Sequence, residues 1–345
     1  LRLGYDGSEH WNRFSLIPVQ NLGEIEVMVN NFKSMGKVDV VIIALDIPMQ
    51  ERFIPLFKKM GIKTMVITPL ESSPLCLSWA FLLGEANKVF FISQLGEDEA
   101  KKAGLEAEHL RIGLDTVSWR LRTQKEYTKG RESMNISPDT LVVLTVADNQ
   151  ERKNLAKSFE IVSKVKNEKG IKVKHILVTR EHSPIGWKLR DLAMTYNIAS
   201  ELMIFERGLD FKALYSLYAI SDVFLLASKA EGLGLPILEA MAVGVPVAAT
   251  NTGAITEVLS DGRGYLLKTE YSFCDPWGNA IRHIPSAEHG ANILEELYNI
   301  PNQGTVRDIA NYLTIKDARK YVETLTWDIP VNQLEKAMEE LDEKE

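Results

Sequence analysis

Residues 227–257 read ASKAEGLGLPILEAMAVGVPVAATNTGAITE, and their order decides the fold. The apolar run at 223–227 (VFLLA) that leads into them is short enough for a buried strand. Residues 228–234 form a loop with two closely spaced glycines. Pro236 then sits in a first helical turn, where its missing N–H is not needed. Ile237, Leu238, Ala240, Met241 and Ala242 continue the helix, and Gly244 stops it as a left-handed cap. Residues 245–250 are the next strand. Strand, tight turn and returning helix make a crevice at the carboxyl edge of a parallel sheet, where such folds bind ligands.

The loop supplies chemistry as well as a turn. Glu231 lies in it, and Glu239 lies early in the helix, predicted to face the same opening. Gly232 and Gly234 have no Cβ, so their backbone N–H groups can approach a ligand closely. The helix start behind them offers free donors and partial positive charge to an anion. The second loop, from Asn251 to Gly253 and Ala254, can add amides. Two carboxylates beside an anion hole suit a ligand with both hydroxyls and phosphates, as a nucleotide sugar has. The bland alternative is a crossover with a solvated loop and surface glutamates, but this order of glycines, carboxylates and caps is more specific than a lone Gly-x-Gly.

The stretch from Glu231 to Glu239 resembles the EGxGLPxLEAMAxGxPV signature of retaining glycosyltransferases of family GT4, with its E-x7-E spacing. The resemblance implies that Glu239 holds the ribose hydroxyls of a nucleotide. It implies that Glu231 and the Gly232–Gly234 amides face the sugar and diphosphate. It extends the donor-binding set to Leu233, Leu235, Gly253, Arg207 and Asn149. Leu233 stands where the family commonly has Phe, and Ala254 where a second Gly is usual.

The chain has 345 residues, long enough for two cores, and a net charge of −7, which argues against nucleic acid as the main partner. Cys76 and Cys274 are far apart in sequence and form no framework, which fits a reducing compartment. No apolar run reaches the roughly 18 residues of a membrane span. Residues 1–5 read as a strand, without the basic segment and apolar core of a secretory leader. The expected location is cytoplasmic, with peripheral contact at the inner membrane face as a further option. Phe53, Leu56 and Phe57 beside Lys58, Lys59 and Lys63 are the candidates for that contact.

Strands and helices alternate along both halves, which predicts parallel βαβ units. Strands are expected at 1–7, 38–45, 63–68, 88–92 and 109–112, with helices at 50–60, 75–86 and 97–103. Residues 8–14, with His10 and Trp11, form a loop that is not Gly-rich, unlike the corresponding GT4 loop. Thr68 to Glu71, followed by Ser78-Trp79, resembles the GT4 stretch whose acidic residue faces the acceptor, which makes Glu71 a candidate. Gly113–Asp115 resembles the turn ending the first domain. Residues 116–139 read as a linker and connecting helix whose cations form a solvated face.

Residues 140–146 open the second half as a buried strand, and Arg152 and Lys153 follow just before a helix, where a phosphate binds. By resemblance Lys153 matches one of two diphosphate-binding cations. Asp148 stands at the other, with Arg152 as the compensating charge. Phe205 to Gly208, with Arg207, resembles the turn lining the nucleobase. Asp210 caps a helix whose Phe211, Leu214, Tyr215 and Tyr218 share a core-facing side. Residues 271–289 are irregular and long for a plain connection, which suggests a functional insertion. His283 and His289 lack the spacing of a helical zinc pair. Helices are expected at 291–298, 305–313 and 331–341.

The resulting expectation is α/β, with two doubly wound Rossmann-like parallel-sheet domains facing across a cleft, the GT-B arrangement. Residues 1–115 form the acceptor-side domain and 116–330 the donor domain, and 331–345 cross back onto the first. The family reaction is sugar transfer from a UDP- or GDP-sugar to an acceptor hydroxyl with retention. The acceptor class stays open among saccharide, lipid and protein. No cofactor is expected, and no metal, because the chain has no Asp-x-Asp. Glu231, Lys153, Arg152 and Glu71 are the candidate catalytic groups. Two rivals stand beside this: a non-catalytic nucleotide-sugar sensor or scaffold, and a GT-B phosphorylase or epimerase.

Overall fold

The computed structural model describes residues 22–36, 38–300 and 313–343. The strand expected at 1–7, the loop at 8–14 and most of the helix expected at 305–313 lie outside them. In the first half, β1 (Val40–Ala44), β2 (Lys63–Thr68), β3 (Lys88–Phe91) and β4 (Glu108–His109) lie side by side in that order, all parallel. Successive residues of a strand point to opposite faces. Val66 and Phe91 accordingly join a core with Ile54, Phe57 and Leu83. Their neighbours Met65 and Phe90 face the other way, onto Ala337 and Leu341 of the final helix, Asp328–Asp342.

The second half holds β5 (Leu141–Val146), β6 (Val173–Thr179), β7 (Leu202–Glu206), β8 (Val223–Leu226), β9 (Val247–Thr250) and β10 (Tyr265–Leu267). Their spatial order is β10-β9-β8-β5-β6-β7, again all parallel. This is the doubly wound order, and it reverses between β5 and β8. Both faces are covered, so β8 and β9 are buried at every residue and β5 at all but the last. The helix Leu235–Val243 ends at Gly244 with φ 81°, the left-handed cap expected there.

Four local expectations are corrected. The single helix at 50–60 is two short ones, Ile47–Gln50 and Ile54–Lys59, each with a proline in its first turn. A proline there starts a helix but cannot continue one. Phe57 is core, and Phe53 and Leu56 are half-buried against it, so they offer no free apolar face to a membrane. The cations of 116–139 are not all solvated. Arg131 is buried in a 2.9 Å ion pair with Asp222, and buried Arg122 donates to the Ala219 and Ser221 carbonyls that end the helix Phe211–Ile220. Finally, much of 271–289 is regular: β11 (Thr269–Cys274) and β12 (Ile281–Pro285) form an antiparallel hairpin. Among the described residues no helix is long and apolar enough to cross a membrane.

Candidate active site at the reversal of the second sheet

The loops that follow β5 and β8 leave the carboxyl edge on either side of the reversal. After β5 the chain makes a short 3-10 turn, Glu151–Lys153, and Asn154 takes φ 50° before the helix Leu155–Asn167 begins. Asparagine tolerates this left-handed conformation better than most residues. The turn leaves Arg152 and Lys153 at the strand end. After β8, Ser228–Gly234 delivers Glu231, which is 4% exposed. Gly234 takes φ 82°, and the helix Leu235–Val243 starts without a side-chain cap.

These loops and Glu71, which lies just past β2, form an alternating row of charges. Lys153 Nζ is 2.6 Å from Glu231 Oε1, and Arg152 Nη1 is 3.2 Å from Glu231 Oε2. Arg152 Nε is 2.9 Å from Glu71 Oε1, and Arg282 Nη1 is 3.3 Å from Glu71 Oε2. Arg282 Nε lies 3.6 Å from Asp275 Oδ2. Ser228 Oγ also donates to Glu231 at 2.7 Å, and Arg152 Nη1 to the Ala230 carbonyl at 2.8 Å. The row crosses from one half of the molecule to the other.

Burial alone would raise the Glu231 carboxyl, but Lys153 and Arg152 outweigh it and hold it at about 2. For Glu71 the balance is reversed: burial raises its carboxyl despite Arg152 and Arg282. Glu239 lies apart from the row. It accepts a 2.7 Å hydrogen bond from Tyr218 Oη, and burial raises its carboxyl. Its carboxylate and Glu231 thus have separate partners, although both belong to the same loop and helix.

The remaining candidates fall into place around this row. Gly253, at φ 52°, leaves no room for a side chain: a Cβ there would lie 2.6 Å from the carbonyl oxygens of both Glu231 and Glu71. Gly232 abuts Pro69, and the Ala254 amide donates to the Glu231 carbonyl at 3.2 Å. Leu233 packs against the core, and Leu235 is exposed at the helix start. Asn149 turns its side chain to a neighbouring loop. It is fully buried, donates to the Trp187 carbonyl at 3.0 Å and accepts from the Trp187 amide at 2.9 Å, so it braces the 181–187 loop. Arg207 is exposed, 3.5 Å from Asp148.

Arg180 was missed. Its Nε lies 2.8 Å from Asp148 Oδ1, and together with Arg207 it surrounds that carboxylate with positive charge. Arg152, the expected compensation for Asp148, instead serves Glu71 and Glu231. Arg282, Asp275 and Trp277 were also missed. The signal available was the turn sequence Asp275-Pro-Trp-Gly-Asn279, a hairpin pattern between two strands. A cavity of 310 Å³ opens beside the row, lined by Asp46, Glu71, Arg152, Trp79, Trp277 and Arg282 among others. Among the described residues no group of three or more His, Cys, Asp or Glu is arranged to hold a metal ion.

Comparison with known proteins places this geometry. Residues 126–273 match the family model described as glycosyl transferases group 1. D-inositol 3-phosphate glycosyltransferase 2 of Catenulispora acidiphila is 26% identical over 179 residues, 48% of this chain and 41% of that protein. The chain's matches span less than half the length of such curated relatives. A glycosyltransferase from Rickettsia africae superposes with a TM-score of 0.71 at 17% identity, covering 94% of this chain and 84% of that one. Anabaena Alr3699/HepE, solved with UDP and glucose, gives 0.71 at 15% identity with the same coverage. Residues 126–273 are thus similar to the glycosyl transferases group 1, the GT4-type family, and the fold is GT-B.

Proposed function

We propose that the protein transfers a sugar from a nucleotide diphospho-sugar to an acceptor hydroxyl, with retention and without a metal cofactor. The observation that carries this reading is the Lys153–Glu231–Arg152–Glu71 row at the reversal of the second sheet, beside an uncapped helix start. The barrier to transfer is charge building on the departing diphosphate. Lys153 has three N–H donors and Arg152 five, so each keeps donors beyond its carboxylate pairs. With the backbone amides around Gly232–Gly234, they stabilise that charge as the sugar–phosphate bond breaks. Glu239 accepts from the ribose hydroxyls, and Tyr218 orients it. Glu231, locked by two cations and Ser228, orients rather than attacks, and it fixes Lys153 and Arg152 in place. Closure of the two halves excludes water that would hydrolyse the donor. Retention and metal independence follow the GT4 resemblance. Because HepE was solved with UDP and with UDP-glucose, a UDP-sugar is the first donor to try.

The test is a thermal-shift panel of UDP-, GDP- and ADP-sugars and their bare diphosphates, with and without EDTA. A ligand that binds only the folded state raises its melting temperature. One base series shifting the transition, insensitive to EDTA, is the expected result. No shift from any of them overturns the donor reading. Asp148 is the feature that favours the rival, a nucleotide-sugar sensor. Saturable binding with neither donor hydrolysis nor transfer would establish that rival, and dependence on inorganic phosphate would establish a phosphorylase.

A further inference from the structure

The hairpin β11–β12 stands apart from the two parallel sheets, and its two long edges differ. The outer edge of β12 is occupied. The Ile281 amide donates to the Ser73 carbonyl at 2.7 Å, and the His283 amide donates to the Lys229 carbonyl at 3.1 Å. Arg282, between them, is 4% exposed and lies on Glu71. At the tip, Gly278 abuts the Trp79 ring. β12 is thus bound into the molecule along its length.

β11 is not. In an antiparallel pair, alternate residues turn their main-chain groups to the partner strand, and those between turn outward. Ile281 and His283 turn theirs away from β11. It is therefore Arg282 that bonds across to Phe273, while Ser272 and Cys274 face outward. Among the described residues no protein group bonds the main chain of Ser272 or Cys274 on that side. All of Thr269–Cys274 except Phe273 is exposed, Tyr271 at 56%. An open edge is a template for another strand, and proteins guard such edges with lysine, proline, charge or a bulge. Here a bulge between Thr269 and Tyr271 bends only the start of the strand. The strand's one charge, Glu270, lies in that bulge, 3.4 Å from Lys157. The flat part, Tyr271-Ser272-Phe273-Cys274, has no charge and no proline, and its aromatic residues favour strands.

We propose that a second copy of this chain pairs with β11, antiparallel about a two-fold axis at Phe273, and joins the two hairpins into one four-stranded sheet. The strand is complementary to itself in this register. Ser272 faces Cys274 of the partner subunit, and Cys274 faces Ser272 of the partner subunit, so each open position meets an open position. An axis at Ser272 would set Cys274 against the bulge at Glu270. An axis at Cys274 would set Ser272 against Pro276, which has no N–H to give. With the axis at Phe273, the two Phe273 rings form a close pair between strands, and aromatic pairs there are favourable. No like charges are set opposite each other, which matters between copies of a chain with net charge −7. Two strands alone are marginal, and pairing makes four. The contact is short, well under the roughly 1,200 Å² of a stable interface, so the dimer is weak and follows concentration, with Kd roughly 10–100 μM. It needs neither the donor nor the acceptor and stands apart from the transferase reading.

The test is sedimentation velocity of the full chain in reducing buffer over a concentration series, for wild type and Ser272→Pro. Ser272 makes no main-chain bond within the hairpin, so proline there spares β11–β12 and blocks only the outer edge. The wild type is expected to sediment faster as concentration rises. Ser272→Pro should weaken self-association by at least about tenfold, with an unchanged melting temperature in dilute solution. A second measurement fixes the register. Directly bonded residues of an antiparallel pair have Cα atoms about 5.5 Å apart, within the disulfide range of about 4.4–6.8 Å. Ser272→Cys in a Cys76→Ser background, treated with oxidised glutathione, should therefore form a covalent dimer through Cys274 of the partner subunit. Adding Cys274→Ser should abolish it. A wild type that stays monomeric up to about 1 mM overturns the proposal and leaves the open edge to a strand of another protein. Self-association of a folded Ser272→Pro equal to wild type overturns it too, because the copies then meet elsewhere. So does a dimer in which Ser272→Cys gives no cross-link. Should Ser272→Pro fail to fold, the cross-link alone decides.

Discussion

Glu71 is gripped from two sides by guanidinium groups of very different origin. Arg152 projects from the 3-10 turn that follows β5, a strand buried at all but its last residue in the middle of a six-stranded sheet. Arg282 projects from β12, whose partner β11 is exposed along most of its length. The first cation is placed by a core that exists whether or not the halves meet. The second is placed by a two-stranded hairpin, and such hairpins are marginal alone. It depends on the loop at 69–73 and on Trp79 for its position. One side of the site is therefore mounted on the fold, and the other is mounted on the contact between the two halves.

The largest effect that separates the two sides is expected at Glu231. Glu231→Ala strands Lys153 beside Arg152 in a buried place, and breaking a buried pair costs about 3–5 kcal/mol. Urea unfolding measures it, and a similar loss in Arg282→Ala would erase the distinction. Acid should reach the same group. The folded carboxyl is held at about 2, below the usual unfolded value of about 4.3. Its contribution is thus complete above about pH 4.3 and is lost as pH falls toward 2. Glu231→Ala should flatten that part of the stability–pH curve.

Gly253 comes next. Gly253→Ala places a methyl 2.6 Å from the Glu231 and Glu71 carbonyl oxygens at φ 52°. Strain and overpacking together should cost about 2–4 kcal/mol and wedge the halves apart. Small-angle scattering would register the opening. Gly208→Ala, at φ 94° in open space, is the control for backbone strain alone. Should both variants lose the same stability, the tight approach of the halves at Gly253 contributes nothing.

Glu239 tests the sheet-mounted side without touching the row. Removing a hydrogen-bond partner that is charged costs about 1.5–3 kcal/mol, so Glu239→Ala should weaken donor binding roughly ten- to hundredfold. Calorimetry with the nucleotide sugar is the measurement. Wild-type affinity in this variant would remove Glu239 from the donor site.

The sheet-mounted side was legible because each step left a mark in composition. Apolar runs marked β5 and β8, while Pro236 and Gly244 bounded the helix and placed Glu231 and Glu239. Lys153 and Arg152 could be placed because strand ends and helix starts are readable. The contact-mounted side left no such mark. A buried Arg282 reads in sequence like any surface arginine, because only the meeting of two distant segments, 71 and 282, buries it. Asp148 taught the same lesson: its neutralising partner, Arg180, comes from the end of another strand, so the compensation was assigned to the nearest cation in sequence instead. The prolines that split 47–59, Pro48 and Pro55, are readable in the sequence, because a proline starts a helix but cannot continue one.

The smallest effect concerns a second junction between the halves. Glu257, on the helix Gly253–Leu259, accepts from the amides of Gln94 at 3.2 Å and Leu95 at 3.1 Å, the start of the helix Gln94–Lys102. A carboxylate there satisfies unpaired donors and meets the positive end of the helix dipole. Burial raises the Glu257 carboxyl, so part of that gain is spent on desolvation. Glu257→Gln keeps an acceptor oxygen and gives up the charge, and it should cost about 0.5–1 kcal/mol. Like the hairpin, this junction joins the halves, but it carries no group of the site. If Glu257→Gln shifts the melting temperature slightly and leaves nucleotide-sugar binding unchanged, the contact-mounted side depends on the hairpin contact itself. If nucleotide-sugar binding falls as well, closure as a whole holds Arg282 on Glu71, and the hairpin only follows it.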